Sequence, residues 1–511
     1  MVNSIHPKYR RLMEKTKSLF ILESVESIVS WDMETMMPPK AVKLRSQQLA
    51  LLSRMRHSMR TEPEIGRLLD QIEQNPEFKD LNQIQKRNAY LIRKDYEEQT
   101  KIPIKLVSEM ARQQTITINT WKKAKKRRDF TIFKPELEKL VDLNKRYAEI
   151  LRKVKQTSTV YSALIDIFEP NMTEETVARV FDKLTEGLRS LLKKCQNSHN
   201  RRDEQIRKYS IPTETQRRIA KALAEEVGFD ISSQNSGGRI DETEHPFTNG
   251  YYDDVRITTH YYQDNFLSSI FSVLHEAGHA LYEQNLRREY MYQPVGTDCS
   301  SGFHESQARF IENIIGRSKE FWVYFLPKLK EIAGSSTKYL EWEPFVYAIN
   351  KVTPSKIRIE ADEITYCLHI AIRFQIEREL FGDEIKVDEL PEVWNQKYQE
   401  YLGVTVQNDS EGVMQDTHWA SGYYGYFPSY ALGNIYSGQL LSTMKKKIPD
   451  WPNQLAHGEF HTIKKWLNES VHSYGNLYDP MELIKRITGK AMDVNPYLDY
   501  LKEKYSELYG F

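Results

Sequence analysis

Five consecutive residues, His275-Glu276-Ala277-Gly278-His279, constrain this chain more than any other stretch. They set two imidazoles four positions apart inside a run, Phe266 to Gln284, that carries helical periodicity. At about 100° per residue the two histidines fall about 40° apart on one helix face, so both rings can reach one metal ion. Ile270, Leu274, Ala277 and Leu281 repeat every 3.6 residues and form an apolar stripe roughly opposite the histidines. Such a helix packs on the core with one side and lines a cavity with the other. Glu276, beside the first histidine, can lean over a bound metal and take a proton from water. Gly278 costs helix stability relative to alanine, so its presence predicts close approach by another backbone. The plain alternative is a buried helix whose two histidines are satisfied by hydrogen bonds.

The bulk properties narrow the setting. The chain has 511 residues, enough for two or more ordinary domains and a large core. Charged residues make up 28% with a net charge of +1, so nothing global points to a nucleic-acid partner or an anionic membrane. Cys195, Cys299 and Cys367 are scattered and odd in number, which argues against a disulfide framework and fits a reducing compartment. The stretch from Met1 to Phe20 is charged throughout, and no run approaches the length of a membrane span. These features predict a soluble, cytoplasmic protein.

Taken in order, the chain predicts a mainly α fold forming a single unit, with an N-terminal helical half over about 1–228 and a catalytic half over about 229–511. The first helix spans His6 to Ser30 and breaks at the Trp31 to Pro39 segment, where Pro38 and Pro39 forbid continuation. Met36 and Met37 read as core filler. Further helices are predicted at 41–60, 63–74, 80–97, 104–126, 134–155 and 173–196, with Pro103, Pro135 and Pro170 near the joints. The basic run from Lys122 to Arg128 reads as a solvated helix end. Between Phe229 and His260 the pattern changes to a small β-sheet. Ile231 to Ile240 predicts two short strands around Gly237-Gly238, and the alternation in Asp254 to Thr259 predicts a third. An edge of such a sheet can hold a peptide by main-chain hydrogen bonds. Helices resume near 304–316, 355–380, 388–402, 429–446 and 494–508.

The pentapeptide spells H-E-x-x-H, the signature of zinc peptidases. A catalytic zinc takes three protein ligands and keeps one position open for water. Glu305 is the best third ligand: it lies 26 positions after His279 and starts a helical pattern with Ala308, Ile311 and Ile315 on a separate face. His304 is the rival. Glu312, two turns on, reads as a supporting or surface group, and Asp298 is placed to hydrogen-bond a ligand imidazole.

Four further motifs accompany the pentapeptide: Asp254-Val255-Arg256-Ile257-Thr258, His304-Glu305-Ser306-Gln307, Ile357-Arg358-Ile359-Glu360-Ala361-Asp362 and the Gly412 to Trp419 run G-x-x-Q-D-x-H-W. In this order the five resemble the carboxypeptidase Taq family of metallocarboxypeptidases, and the Trp31-Asp32 segment resembles that family's too. The resemblance implies a saddle-shaped helical fold with a deep groove, usually a homodimer. It also implies release of single C-terminal residues from peptides with broad side-chain tolerance, and zinc that cobalt sometimes replaces. It strengthens Glu305 as the third metal ligand.

The flanking motifs can also be read from their chemistry. A carboxypeptidase must recognise a free α-carboxylate, which suits a guanidinium fork. Arg358 and Arg256 are the candidates. Thr353-Pro354 places Arg358 in the first turns of a helix with Asp362 one turn on, so the alternative role is an i,i+4 ion pair. The family resemblance favours Arg358 as the carboxylate anchor and makes Arg256 a cleft residue that limits substrate length. His245, before Pro246, is either a plain loop residue or a substrate contact. Attack on a peptide carbonyl develops negative charge on oxygen, for which His418 and a tyrosine are suitable donors. The Gly422-Tyr423-Tyr424-Gly425-Tyr426 run is similar to one in the more distant thimet oligopeptidases, which favours Tyr426 and then Tyr423. Two rival functions stand beside the carboxypeptidase: an oligopeptidase cutting internal bonds, and a peptide-binding protein whose zinc is structural.

Overall fold

The first helix carries its register past the tryptophan. In the computed structural model, which describes residues 7–198 and 209–511, it runs Pro7–Thr35 and stops only short of Pro38-Pro39. The expected break at Trp31 is therefore wrong, and His6, its expected start, lies outside the described residues. Trp31 is buried, and the guanidinium groups of Arg239 and Arg256, paired side by side on neighbouring strands, lie 4.9 and 4.5 Å from its ring centre. Met36 is 52% exposed, so it does not fill the core.

Twenty α-helices and one three-stranded sheet make up the described residues. The N-terminal helices at Val42–Arg60, Pro63–Glu73, Gln83–Lys101 and Ile104–Arg127 fall close to their predicted bounds. The next one, Phe130–Lys155, begins four residues before its predicted start because Asp129 caps it through the Thr131 amide, and Pro135 sits inside the helix rather than at a joint. Tyr9, Leu12, Ile65, Leu68, Leu69, Ile72 and Ala89 form a small core of their own, apart from the main core that extends from Ala124 to Tyr509. No helix is long and apolar enough to cross a membrane among the described residues.

The sheet differs from its expected form. Residues 231–235 are turns and bends, and the first strand, β1, is Gly238–Glu242. It is followed by β2 (Thr248–Tyr251) and β3 (Asp254–Thr259). The hairpin is thus β2–β3, turning at Tyr252-Asp253, and not a turn at Gly237-Gly238. The order is β1-β3-β2, with β1 parallel and β2 antiparallel to β3, which leaves β2 as an edge strand. On β3 the predicted alternation holds over Asp254 to Ile257, where Val255 and Ile257 are buried in the core while Arg256 between them reaches Trp31, and ends at Thr258 and Thr259, which are both buried. The sheet is therefore clamped between the first helix and the Phe266–Gln284 helix. Asn249 on β2 ties it to the first helix by donating from Nδ2 to the Ser27 carbonyl at 2.8 Å.

Three helices form the floor of the site: Phe266–Gln284, Ser301–Arg309 and Phe427–Lys447. On the first, Ile270, Leu274, Ala277 and Leu281 are buried as their spacing predicts. The second starts at Ser300, whose hydroxyl accepts from the Phe303 amide at 3.0 Å, and continues into a wider π-helical turn over Phe310–Ile315. Its N-terminus is supported from below by Glu169, which is fully buried and accepts from the Gly302 amide. The second carboxyl oxygen of Glu169 has no partner among the described residues. Burial pushes this carboxyl from its ordinary 4.5 up to about 8, against the opposing pull of the Gly302 amide.

A carboxyl whose pKa is raised by folding stabilises the protein fully below its unfolded value, and that contribution is lost as pH rises through the folded value. Glu169 is therefore expected to add a downward slope to the melting temperature of the metal-free protein as pH rises from about 5 to about 9, alongside the contributions of other buried groups. Glu169→Gln should flatten that slope, measured by calorimetry. An unchanged slope in the variant would show that Glu169 is not held protonated.

Candidate metal centre

The two histidines of the Phe266–Gln284 helix do converge. Nε2 of His275 and Nε2 of His279 lie 3.7 and 3.5 Å from Oε2 of Glu305, and the three ligand atoms are all within 4.8 Å of one another. Ligands about 2.0–2.2 Å from one tetrahedral zinc are separated by roughly 3.3–3.6 Å, so the donor set fits that ion. It is the one such cluster among the described residues. His304, the rival ligand, turns away: its Nε2 meets Glu283 Oε1 at 2.9 Å and its Nδ1 meets His279 Nδ1 at 2.5 Å.

The Ser301–Arg309 helix can deliver Glu305 because two glycines let backbones touch. A Cβ on Gly278 would sit 2.6 Å from Ala308 Cα, which is the close approach its sequence position predicts. A Cβ on Gly433, in the Phe427–Lys447 helix, would sit 2.6 Å from Glu305 Cγ. Glu305, Arg309 and Glu312 then follow at i, i+4 and i+7 and face the same way. Arg309 donates from Nε to Glu305 Oε1 at 2.6 Å and from Nη1 to Glu312 Oε2 at 3.0 Å. Glu312 meets His275 Nδ1 at 2.9 Å and receives Arg317 Nη2 at 3.2 Å. It is thus a supporting group, not a surface one. Burial works to raise the Glu305 carboxyl, but the Arg309 guanidinium and the two imidazoles outweigh it and hold Glu305 at about 2, ionised and ready to bind a cation. Sequence reasoning missed Arg309, whose spacing from both glutamates was the available signal. Asp298 has no hydrogen bond to a ligand imidazole; that position on His279 belongs to His304.

Glu276 is buried beside the cluster, and the Thr248 hydroxyl of β2 lies 2.7 Å from its Oε2 and 3.0 Å from its carbonyl. Burial raises its carboxyl above the ordinary value, partly countered by His275. The edge strand β2 thereby runs directly alongside this carboxylate.

The arginines occupy different surroundings from those expected. Arg358 lies in a short 3₁₀ turn, Arg358–Glu360, and not in a helix; the helix begins at Glu363 with Asp362 as its cap, accepting from the Ile364 and Thr365 amides at 3.0 Å each. Cap geometry takes Asp362 away, so Arg358 pairs with Asp416 instead, through Nε at 3.0 Å and Nη2 at 2.9 Å, while Nη1 donates to the Tyr366 hydroxyl at 3.2 Å. A guanidinium has five N–H donors; three are used, which leaves one on each terminal nitrogen. Asp416 also takes Arg373 Nε at 2.7 Å, so one carboxylate offsets two buried guanidinium groups. Arg256 is bound at 2.7 and 2.8 Å by Asp254, two residues back on β3. His245 lies exposed on the loop between β1 and β2.

His418 stands before the Trp419–Ser421 turn, with Nε2 3.1 Å from the Tyr430 hydroxyl and a buried Nδ1 that has no partner among the described residues. Burial lowers it to about 4, so its imidazole is neutral near pH 7. Its ring stacks on Tyr426 at 5.8 Å. The Glu305 charge reaches both Tyr426 and Tyr430, whose hydroxyl pKa values rise with burial. Tyr423 is 52% exposed and touches Tyr426 edge-on at 6.1 Å. The whole loop is anchored by the buried Glu377, which accepts from Trp419 Nε1 at 2.7 Å, the Gly425 amide at 2.8 Å and the Tyr161 hydroxyl at 2.8 Å.

With this geometry in place, comparison with known proteins is decisive. Residues 11–505 match the model of one family, carboxypeptidase Taq (M32) metallopeptidase. The chain belongs to that family. Among its relatives, thermostable carboxypeptidase 1 of Thermus thermophilus is 39% identical over 509 residues, covering 98% of this chain and 99% of the relative. Carboxypeptidase 1 of Bacillus subtilis is 38% identical over 506 residues, covering 99% of each. The crystal structure of an M32 carboxypeptidase from Deinococcus radiodurans superposes with a TM-score of 0.94 at 32% identity, covering 99% of this chain and 100% of that one. Membership and the His275, His279, Glu305 cluster together make this chain an enzyme, a zinc-dependent carboxypeptidase.

Gly433→Ala tests the helix contact. Overpacking at such a site costs about 1–3 kcal/mol, read from denaturant unfolding. A displacement of Glu305 near 1 Å should lower kcat/KM by about 100-fold. Parent-like stability and activity would show that the Glu305 helix does not depend on this approach.

Proposed function

We propose that this enzyme removes single residues from the C-termini of peptides, with broad side-chain tolerance, by a promoted-water mechanism. The observation that carries the reading is the buried carboxylate of Glu276, oriented by Thr248 beside a cluster of two imidazoles and one carboxylate. His275, His279 and Glu305 would hold a zinc ion, which would supply Lewis acidity there. Glu276 takes the proton of the attacking water at its carboxylate and passes it to the leaving amine nitrogen. Its raised pKa brings it nearer the range in which one group can serve as both base and acid. His418 and Tyr426 donate hydrogen bonds to the carbonyl oxygen as its charge grows, and Tyr423 is the second candidate for that task.

Arg358 anchors the substrate's terminal carboxylate with its two remaining N–H groups, held in place by Asp416. Arg256, pinned against Trp31 at the sheet, limits how long a peptide the groove accepts. His245, on its exposed loop, contacts the substrate chain farther from the scissile bond, and β2 offers main-chain groups to an extended peptide. Cobalt can take the place of zinc, and the enzyme works as a cytoplasmic homodimer organised as one unit over residues 1–511. The molecule takes the saddle shape that the family resemblance implies, with its deep cleft over the metal centre.

Replacing Glu276 by Gln should abolish turnover while zinc stays near one per chain by elemental analysis; retained activity would remove it as the base. A mixed peptide pool followed by mass spectrometry should give ladders shortened one residue at a time from the C-terminus. Peptides with an amidated C-terminus should stay largely intact. Internal cleavage of the amidated peptides would instead establish an oligopeptidase, and chelator-induced melting with no peptide ever shortened would establish a structural zinc.

A further inference from the structure

The two metal-facing imidazoles have unlike supports. His275 turns its far nitrogen, Nδ1, to the carboxylate of Glu312 at 2.9 Å, the usual partner for a metal-bound histidine. His279 turns its Nδ1 to another imidazole, Nδ1 of His304, at 2.5 Å, and His304 in turn meets Glu283 Oε1 through Nε2 at 2.9 Å. Two imidazole nitrogens that close must share a single hydrogen, one donating and one accepting.

Which donates follows from the cluster itself. Nε2 of His279 faces Glu305 Oε2 and must offer its lone pair to a metal there, so its ring hydrogen sits on Nδ1. His304 Nδ1 is then the acceptor, and the one hydrogen of that ring sits on Nε2 and points at Glu283. We infer that His304 and Glu283 form a two-step relay that positions His279 and raises its basicity as a zinc ligand, doing from one residue farther away what Glu312 does directly for His275. His304 and Glu283 are positioning residues, since neither touches the metal or the substrate.

The packing around His304 suits this role. Its ring meets that of His279 edge to edge and nearly coplanar, with centroids 4.6 Å apart and 27° between the planes, and lies 5.4 Å from the ring of the buried Tyr282. Its backbone amide is bound to the Ser300 carbonyl at 3.0 Å in the first turn of the Glu305 helix. His304 and Glu305 are thus adjacent in sequence but serve one ion by opposite routes, the carboxylate as a ligand and the imidazole as the support of another ligand. Glu283 and His279 lie four apart on the Phe266–Gln284 helix, so His304 bridges two residues of one helix face from the neighbouring helix.

The inference rests on the zinc reading of the cluster, and the test separates the two. Zinc dissociation constants of the full chain are measured by competition with a chromogenic chelator, for the parent and for Glu283→Gln, His304→Leu and His304→Asn. Loss of a supporting partner lowers metal affinity by about 10–100-fold. Glu283→Gln, which keeps the shape and removes the charge, should weaken zinc by about tenfold, the low end of that range. His304→Leu should weaken it more, and His304→Asn, whose amide oxygen can accept from His279 Nδ1, should recover part of the loss. The melting temperature of the metal-free Glu283→Gln protein should match the parent, which a merely structural role would not allow alongside a loss of affinity. If Glu283→Gln holds zinc as tightly as the parent, the relay is overturned, and that variant decides the matter should His304→Leu fail to fold. If the parent itself takes up no zinc, the reading of the cluster fails and the relay fails with it.

Discussion

The site exists because three helix backbones come closer than side chains ordinarily permit. Gly278 lets the Ser301–Arg309 segment lie against the histidine helix, and Gly433 lets the Phe427–Lys447 helix press Glu305 from behind. Neither glycine is in a turn, and both accept the helix penalty that glycine carries. What they achieve is convergence: a carboxylate 26 positions away in sequence arrives between two imidazoles with its second oxygen already bound by Arg309. A ligand held in this way loses little freedom when the ion arrives, which is the preorganisation a catalytic metal site needs.

Convergence of this kind buries charge, and the surrounding residues are arranged to offset it. Arg309 lies between Glu305 and Glu312, and Arg317 reaches Glu312 from the other side. Around Arg358 the pattern inverts, with Asp416 between Arg358 and Arg373. An isolated buried charge costs several kcal/mol even after relaxation, so the glutamates would take up protons and the permanently charged guanidinium groups would be strongly destabilising at such depth without their partners. The same economy explains why Glu169 and Glu377, which have no cation bound to them, are pushed up to about 8 and about 7. Carboxyls held low and carboxyls pushed up thus sit in one core, separated by whether a guanidinium is hydrogen-bonded to them.

The legible parts of the molecule were those written in local periodicity. The apolar stripe of the Phe266–Gln284 helix, the alternation of β3 and most N-terminal helices follow from spacing alone, and Gly278 signalled its neighbour. Glu305 was reachable because it opens a second helical pattern 26 positions after His279, with Ala308, Ile311 and Ile315 on a separate face, and the family motifs strengthened it. What stayed hidden depends on contacts between distant segments. Periodicity could not tell that Asp362 would cap a helix and leave Arg358 to Asp416, 58 positions on. Nor could it show that two arginines from the sheet meet the ring of Trp31, which stays within the first helix. The Gly237-Gly238 pair looked like a hairpin turn, yet the hairpin formed at Tyr252-Asp253, where β2 and β3 meet.

The account turns on where one ion sits and what surrounds it. Diffraction from zinc-loaded crystals, with anomalous differences collected at the zinc absorption edge, locates it directly. The account predicts a single strong peak about 2.0–2.2 Å from Nε2 of His275, Nε2 of His279 and a carboxyl oxygen of Glu305, with the remaining position open to solvent. A peak bound by His304 or Glu283, or a fourth protein ligand closing that position, would contradict it.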